Sequence, residues 1–126
     1  MDKLPSKQEW IILETLWKKS PVFLSELMRE MKNTVNWKQT TFSTYLKKMF
    51  NAGLIGYETI SGNRSYYPIV KREECVREES RSLREKLSDD STKLLLACMI
   101  RESGLKEQDC EELSRLIAEL DSDGKR

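Results

Sequence analysis

The stretch NWKQTTFSTYLKKMFNAGLI, residues 36–55, holds the residue types and spacing that bear most directly on chemistry. At 100° per residue, Thr40, Thr41, Thr44, Lys47, Lys48 and Asn51 fall on the side of a helix away from Phe42, Leu46, Met49 and Phe50, and no Asp or Glu joins them. Short hydroxyls come first and amines later. Threonine can donate to or accept from a base edge, or pack its methyl on thymine, and lysines on the later turns reach phosphates. A carboxylate on such a face would be repelled by a polyanion, so its absence is what insertion into a DNA groove requires. Lys38 and Gln39 at the start of the helix, and Asn63 and Arg64 at a hairpin tip, extend the same surface. By itself, a face of Lys and Thr is more often plain solvated surface.

Other chemistries are excluded more firmly. The chain has no histidine, so it cannot build a Ser-His-Asp or Cys-His pair, an HExxH zinc site or a C2H2 finger. Its three cysteines, Cys75, Cys98 and Cys110, are 23 and 12 residues apart, which supplies neither a disulfide framework nor a CxxC motif. A reducing cytoplasmic setting is expected, with no metal, no cofactor and no catalytic residue. The start MDKLPSKQEW lacks an apolar core of the export type, and the longest apolar run, Leu94–Ile100, falls far short of the roughly 20 residues needed to span a bilayer. The one acidic cluster, Glu73, Glu74, Glu78 and Glu79, reads as a solvated helix face.

These residues must be positioned by a recognisable set of elements. Ser6 and Glu9 match a capping box, and Trp10, Ile11, Leu13, Leu16 and Trp17 carry a first helix over about 7–19. Ser20-Pro21 ends it. Val22-Phe23-Leu24 suits a very short extended segment, and Leu24, Leu27, Met28 and Met31 mark a short second helix. The third helix carries the Thr/Lys face over a core-facing stripe of Phe42, Leu46, Met49 and Phe50, and Gly53 caps it. Two strands follow around Ser61-Gly62-Asn63, with Pro68 placing the second strand at an edge or at its own end. Three helices and then a hairpin are the order of a winged helix-turn-helix domain. Trp10, Trp17 and Trp37 read as packing residues.

The formal net charge of +1 hides a division near Lys71. Residues 1–71 hold 11 Lys and Arg against 6 Asp and Glu, net +5, whereas residues 72–126 hold 11 against 15, net −4. The expected organisation is therefore a DNA-binding domain over 1–71 and a helical dimerisation domain over 72–126. The second part reads as a charged connecting helix over 72–87, a helix over about 90–102 that is apolar on all sides, and, after Gly104, a last helix striped by Cys110, Leu113, Leu116, Ile117 and Leu120. A two-helix tail cannot bury the seven apolar residues Leu94–Ile100 by itself, so a second copy is expected to cover them. Leu94, Leu95, Cys98 and Met99, with Leu113, Leu116, Ile117 and Leu120, are the expected dimer contacts. Cys98 and Cys110 read as core, leaving Cys75, among charges, as the candidate reactive thiol.

The segments SKQEWIILETLW, NWKQTTFSTYLKKMFNAGLI, SGNRSYYPIV and EELSRLI together resemble the penicillinase and methicillin-resistance repressors of the BlaI/MecI/CopY type, over nearly the whole chain. The resemblance implies a homodimeric winged-helix repressor of an inverted-repeat operator, controlling β-lactam resistance genes. It places the base- and phosphate-contacting positions on Thr40, Thr41, Ser43, Thr44 and Lys48; family members commonly carry arginine where this chain has Ser43 and Lys48. It also implies relief of repression by a sensor protease that cuts an Asn-Phe pair in the dimerisation helix. The corresponding bond here is Cys98-Met99, and the chain contains no Asn-Phe. The copper-responsive branch uses a cysteine-rich C-terminal motif that three isolated cysteines do not supply. The rival expectation is a winged-helix module whose third helix docks an acidic protein instead of DNA.

Overall fold

The computed structural model describes residues 4–124, with side chains up to Leu120. The element order is α1 (Lys7–Lys18), β1 (Val22–Phe23), α2 (Leu24–Glu30), α3 (Gln39–Asn51), β2 (Ile55–Ile60), β3 (Asn63–Pro68), α4 (Arg72–Lys86), α5 (Asp89–Glu102) and α6 (Glu107–Gly124). The fold is mainly α with a small antiparallel sheet: a winged helix-turn-helix followed by a helical region. Two compact units divide between Ser82 and Leu83, inside α4, and not at Lys71 where the charge balance changes.

In the first unit each boundary has a local cause. Ser6 accepts from the Glu9 amide at 3.2 Å while the Glu9 carboxylate accepts from the Ser6 amide at 2.9 Å, the reciprocal pair that opens α1. Gly53, at φ +78°, closes α3: the Leu54 amide donates to the Met49 carbonyl at 2.9 Å and the Gly53 amide to the Phe50 carbonyl at 3.1 Å. That double bond is a Schellman closure, and it turns the chain directly from α3 into β2. The hairpin loop is the two residues Ser61 and Gly62, at φ +51° and +82°. Both positive angles match the twist of the flanking strands. Ser61 pays a left-handed penalty that asparagine largely avoids, so Ser61→Asn is expected to raise stability by up to about 1 kcal/mol in thermal or urea unfolding.

The sheet order is β1-β3-β2, so β3 is the central strand and Pro68 sits at its end, paired with Ile55. Val22 and Phe23 pair with Tyr66 and Ser65. Ile12, Leu13 and Leu16 of α1 meet Leu27 of α2, Met31 at its C-cap, and Phe42, Leu46 and Met49 of α3, with Leu54 and Ile55 closing the layer beneath the sheet. Two expectations fail here. Phe50 does not join this core but remains 44% exposed, stacked on Tyr57 at 4.9 Å between centroids. Cys75, expected among solvated charges, is fully buried in the core.

That burial explains the position of the unit boundary. Besides Cys75, α4 contributes the Glu79 carboxylate, which accepts from Trp10 Nε1 at 2.7 Å, and Trp17 Nε1 donates to the Val70 carbonyl at 3.0 Å just before α4 starts. The first turns of α4 therefore belong to the winged helix, although most of the remaining α4 side chains are exposed. All three tryptophans pack against the core cluster: Trp10 and Trp17 edge to face at 5.7 Å, and Trp37 against Phe42 and Tyr45.

In the second unit, Ser88 caps α5 by accepting from the Ser91 amide at 3.1 Å, and Arg84 reaches Asp89 at 3.1 Å and Thr92 at 2.9 Å. Gly104, at φ +63°, precedes the turn into α6. No residue of α5 is buried in the single chain. Leu94 is 65% exposed, Met99 54% and Ile117 59%, and Leu116 and Leu120 are similarly open; of the expected dimer contacts, Leu95 and Leu113 alone are half-covered. Cys98 and Cys110, expected as core, are both exposed. Among the described residues no helix is long and apolar enough to cross a membrane.

Candidate nucleic-acid interface

Phe42, Leu46 and Met49 bury one side of α3, and this decides which residues remain outside. Trp37, at 5.1 Å from Phe42 and 5.0 Å from Tyr45, wedges the chain immediately before the helix. Lys38 is the N-cap and makes no side-chain cap bond; Gln39 and Thr40 follow it, exposed. The other described helices each carry Asp or Glu in the first turn, whereas α3 carries none. Its positive dipole end is left without a carboxylate of its own.

Thr40, Ser43, Thr44, Lys47, Lys48 and Asn51 are exposed, and Thr41 is half-buried. The Thr44 hydroxyl donates to the Thr40 carbonyl at 2.9 Å, which leaves its oxygen to accept and its methyl to face outward. The surface has two flanks. Ser43, Lys47 and Asn51 line a cleft with Tyr57 and Arg64 of the hairpin. Lys48, with Tyr45, faces the start of α1 near Leu4 and Gln8. Gln39 shares a third hollow with Asn63 and Arg64, bounded by Ser25 of α2. The residues expected from the helix and from the hairpin thus meet along the wing side of α3, while Lys48 lies on the opposite flank.

Electrostatics favour an anion along the wing side of this face, whereas on the Lys48 flank Glu9 lines the same hollow. Among the described residues no carboxylate lies within ion-pair distance of Lys38, Lys47, Lys48 or Arg64. Arg64 instead rests its guanidinium over the Tyr57 ring, 4.4 Å from the centroid. Tyr57 and Phe50 were not singled out from the sequence as part of this surface; the available signal was the alternation that puts Tyr57 opposite Tyr66. No group of His, Cys, Asp or Glu among the described residues could hold a metal ion. Burial pushes the Cys75 thiol pKa up, reinforced by Glu74 and Glu79, so the thiolate needed for reactivity is suppressed where it was expected.

A winged helix-turn-helix whose third helix presents hydroxyls and amines free of acid defines a class, that of winged-helix regulators. The model of the penicillinase repressor family matches residues 5–119. The chain belongs to that family of transcriptional repressors, and it is not an enzyme. It is 20% identical to the penicillinase repressor of Bacillus licheniformis over 121 residues, covering 94% of each chain. It is 19% identical to the methicillin resistance regulatory protein MecI of Mammaliicoccus sciuri over 112 residues, 89% of this chain and 91% of that one. Among solved structures it resembles the monomeric form of B. licheniformis BlaI, determined in solution in complex with the blaP half-operator. The TM-score is 0.50 at 24% identity, over 59% of this chain and 93% of the other. That likeness supports the winged-helix fold.

Proposed function

We propose that this protein is a cytoplasmic homodimeric repressor that inserts α3 of each protomer into one major groove of an inverted-repeat operator and lays the β2-β3 wing beside the flanking phosphates. The carrying observation is that α3 is the one described helix without a first-turn carboxylate, and its exposed face continues free of acid to Asn51. Thr40, Thr41, Ser43 and Thr44 lie early on the helix, where base edges would be read, and Lys47 and Lys48 lie later, where phosphates would be met. Lys38, Gln39, Asn63 and Arg64 widen the footprint. The BlaI relative was determined on a half-operator, which agrees with this use of the fold.

The dimer completes the reading. The exposed apolar residues Leu94, Leu96, Met99, Ile100, Leu116, Ile117 and Leu120 lie on two consecutive helices and amount to a core without a second half. A second copy supplies that half and sets two recognition helices on one duplex. Repression follows from occluding the promoter, with β-lactam resistance genes as the targets suggested by the family. A sensor protease acting as the family implies would cut within α5 at Cys98-Met99, whose side chains are exposed in the single chain and would be covered in the dimer; lacking Asn-Phe, the chain would require a protease that accepts Cys-Met.

Gel-shift selection on fragments of the host genome tests the reading, followed by footprinting of the retained fragment. A protected pseudo-palindrome whose affinity falls steeply with salt is expected. If no fragment is retarded, the surface serves an acidic protein partner and the repressor reading fails.

A further inference from the structure

We infer that Arg64 and Lys47 form one seat for a single phosphodiester of the DNA backbone in the cleft between α3 and the wing, and that Tyr57 is the residue that positions Arg64 for it. This rests on the DNA-binding reading above and specifies one contact within it. Arg64 is the second residue of the central strand β3 and pairs with Thr59, while Tyr57 pairs with Tyr66, so Arg64 and Tyr57 share the sheet face turned toward α3. The guanidinium lies 4.4 Å over the Tyr57 ring. The ring is itself held, 4.9 Å from Phe50 and 5.9 Å from Tyr66.

This arrangement accounts for two otherwise unexplained features. Phe50 stays exposed at the end of α3 because its ring backs Tyr57 instead of entering the core. Arg64 lacks a carboxylate partner among the described residues, yet it is not left to sample solvent freely. A guanidinium held over a ring face by its carbon keeps N–H groups at its rim to meet a phosphate, which it can take in two parallel bonds. Its conformational cost on binding is already partly met. Lys47 lines the same cleft as a second charge, with Ser43 and Asn51 as neutral donors. The cleft lies on a flank of α3, away from the middle of its outer face. A helix in the major groove meets the sugar-phosphate walls along its flanks.

The test uses the full-length protein and a short fluorescein-labelled duplex of random sequence, because a phosphate contact needs no operator. Affinity is read by anisotropy across a salt series. Arg64→Ala and Tyr57→Leu should each lower the slope of log affinity against log salt by about one per protomer. Tyr57→Phe, which keeps the ring face, should retain the wild-type slope, and Tyr57→Leu combined with Arg64→Ala should be no worse than Arg64→Ala alone. Independently of these variants, the Arg64 δ-protons of the free wild-type protein should show an upfield ring-current shift by NMR. A wild-type slope in folded Tyr57→Leu, additive losses in the double variant, or no ring-current shift would each overturn the role of Tyr57. If Arg64→Ala keeps the wild-type slope, the seat itself is overturned. Wild-type protein that fails to bind the duplex at low salt would overturn the underlying DNA-binding reading as well, a result distinct from the others.

Discussion

Lys48→Glu should abolish operator binding at moderate salt while leaving the fold intact. Lys48 is exposed and, although Glu9 lines the same hollow, has no carboxylate within ion-pair distance among the described residues, so its charge contributes little to the folding energetics of the winged helix. Surface substitutions of this kind usually change stability by about 0.5 kcal/mol or less. On DNA the same change removes one favourable phosphate contact per protomer and introduces a repulsion. For a dimer the affinity should fall on the order of a hundredfold or more, and the salt slope by about two. Anisotropy on the selected operator, with a thermal melt as the fold control, gives both quantities. Unchanged affinity with an intact fold would remove this flank of α3 from the interface, and the position of Lys48 away from the wing makes it an independent check on the Arg64 side.

If the proposed dimer forms through α5 and α6, Met99→Lys should convert it to monomers. Met99 is the better site than Leu95: it is exposed in the single chain, whereas Leu95 is already half-covered and its replacement would also disturb the protomer. An uncompensated charge in a dry interface costs roughly 3–5 kcal/mol, and a symmetric dimer meets it twice. Each 1.4 kcal/mol is about tenfold in the dissociation constant, so dissociation constants should rise by on the order of ten-thousandfold or more. Sedimentation velocity reads the association state, and operator affinity should fall with it because one protomer engages only half of an inverted repeat. A variant that stays dimeric would mean that the apolar residues of α5 face another occupant.

Much of the fold was legible because its signals are local. The Ser6/Glu9 box, the Gly53 closure and the tight turn at Ser61-Gly62 depend on a few adjacent residues, and each lies within a residue or two of where the sequence placed it. The misreadings have one shared cause: a helical wheel gives the direction of a side chain and not what stands there. Phe50 points only slightly away from Leu46, but at the end of α3 that direction meets the hairpin. Cys75 sits among Glu and Arg, where a single buried position leaves no periodic signature. Cys98 and Cys110 are a different case: they lie in apolar surroundings that a single chain leaves uncovered, so their reading as core rests on the proposed second copy. The Thr/Lys face of α3 was readable from residue type and helical spacing. Its partition into a wing flank and an α1 flank was not, since it depends on which neighbour each side chain meets.

The burial of Cys75 makes the protein its own gauge of local opening. It is closed to reagents while the first turns of α4 remain docked against α1 and the Trp10–Glu79 bond holds, whereas Cys98 and Cys110 are open in the single chain. The labelling rate of this one thiol, resolved by mass spectrometry, therefore times how often the helix leading out of the winged helix lifts away, on the free-energy scale that separates local opening from global unfolding.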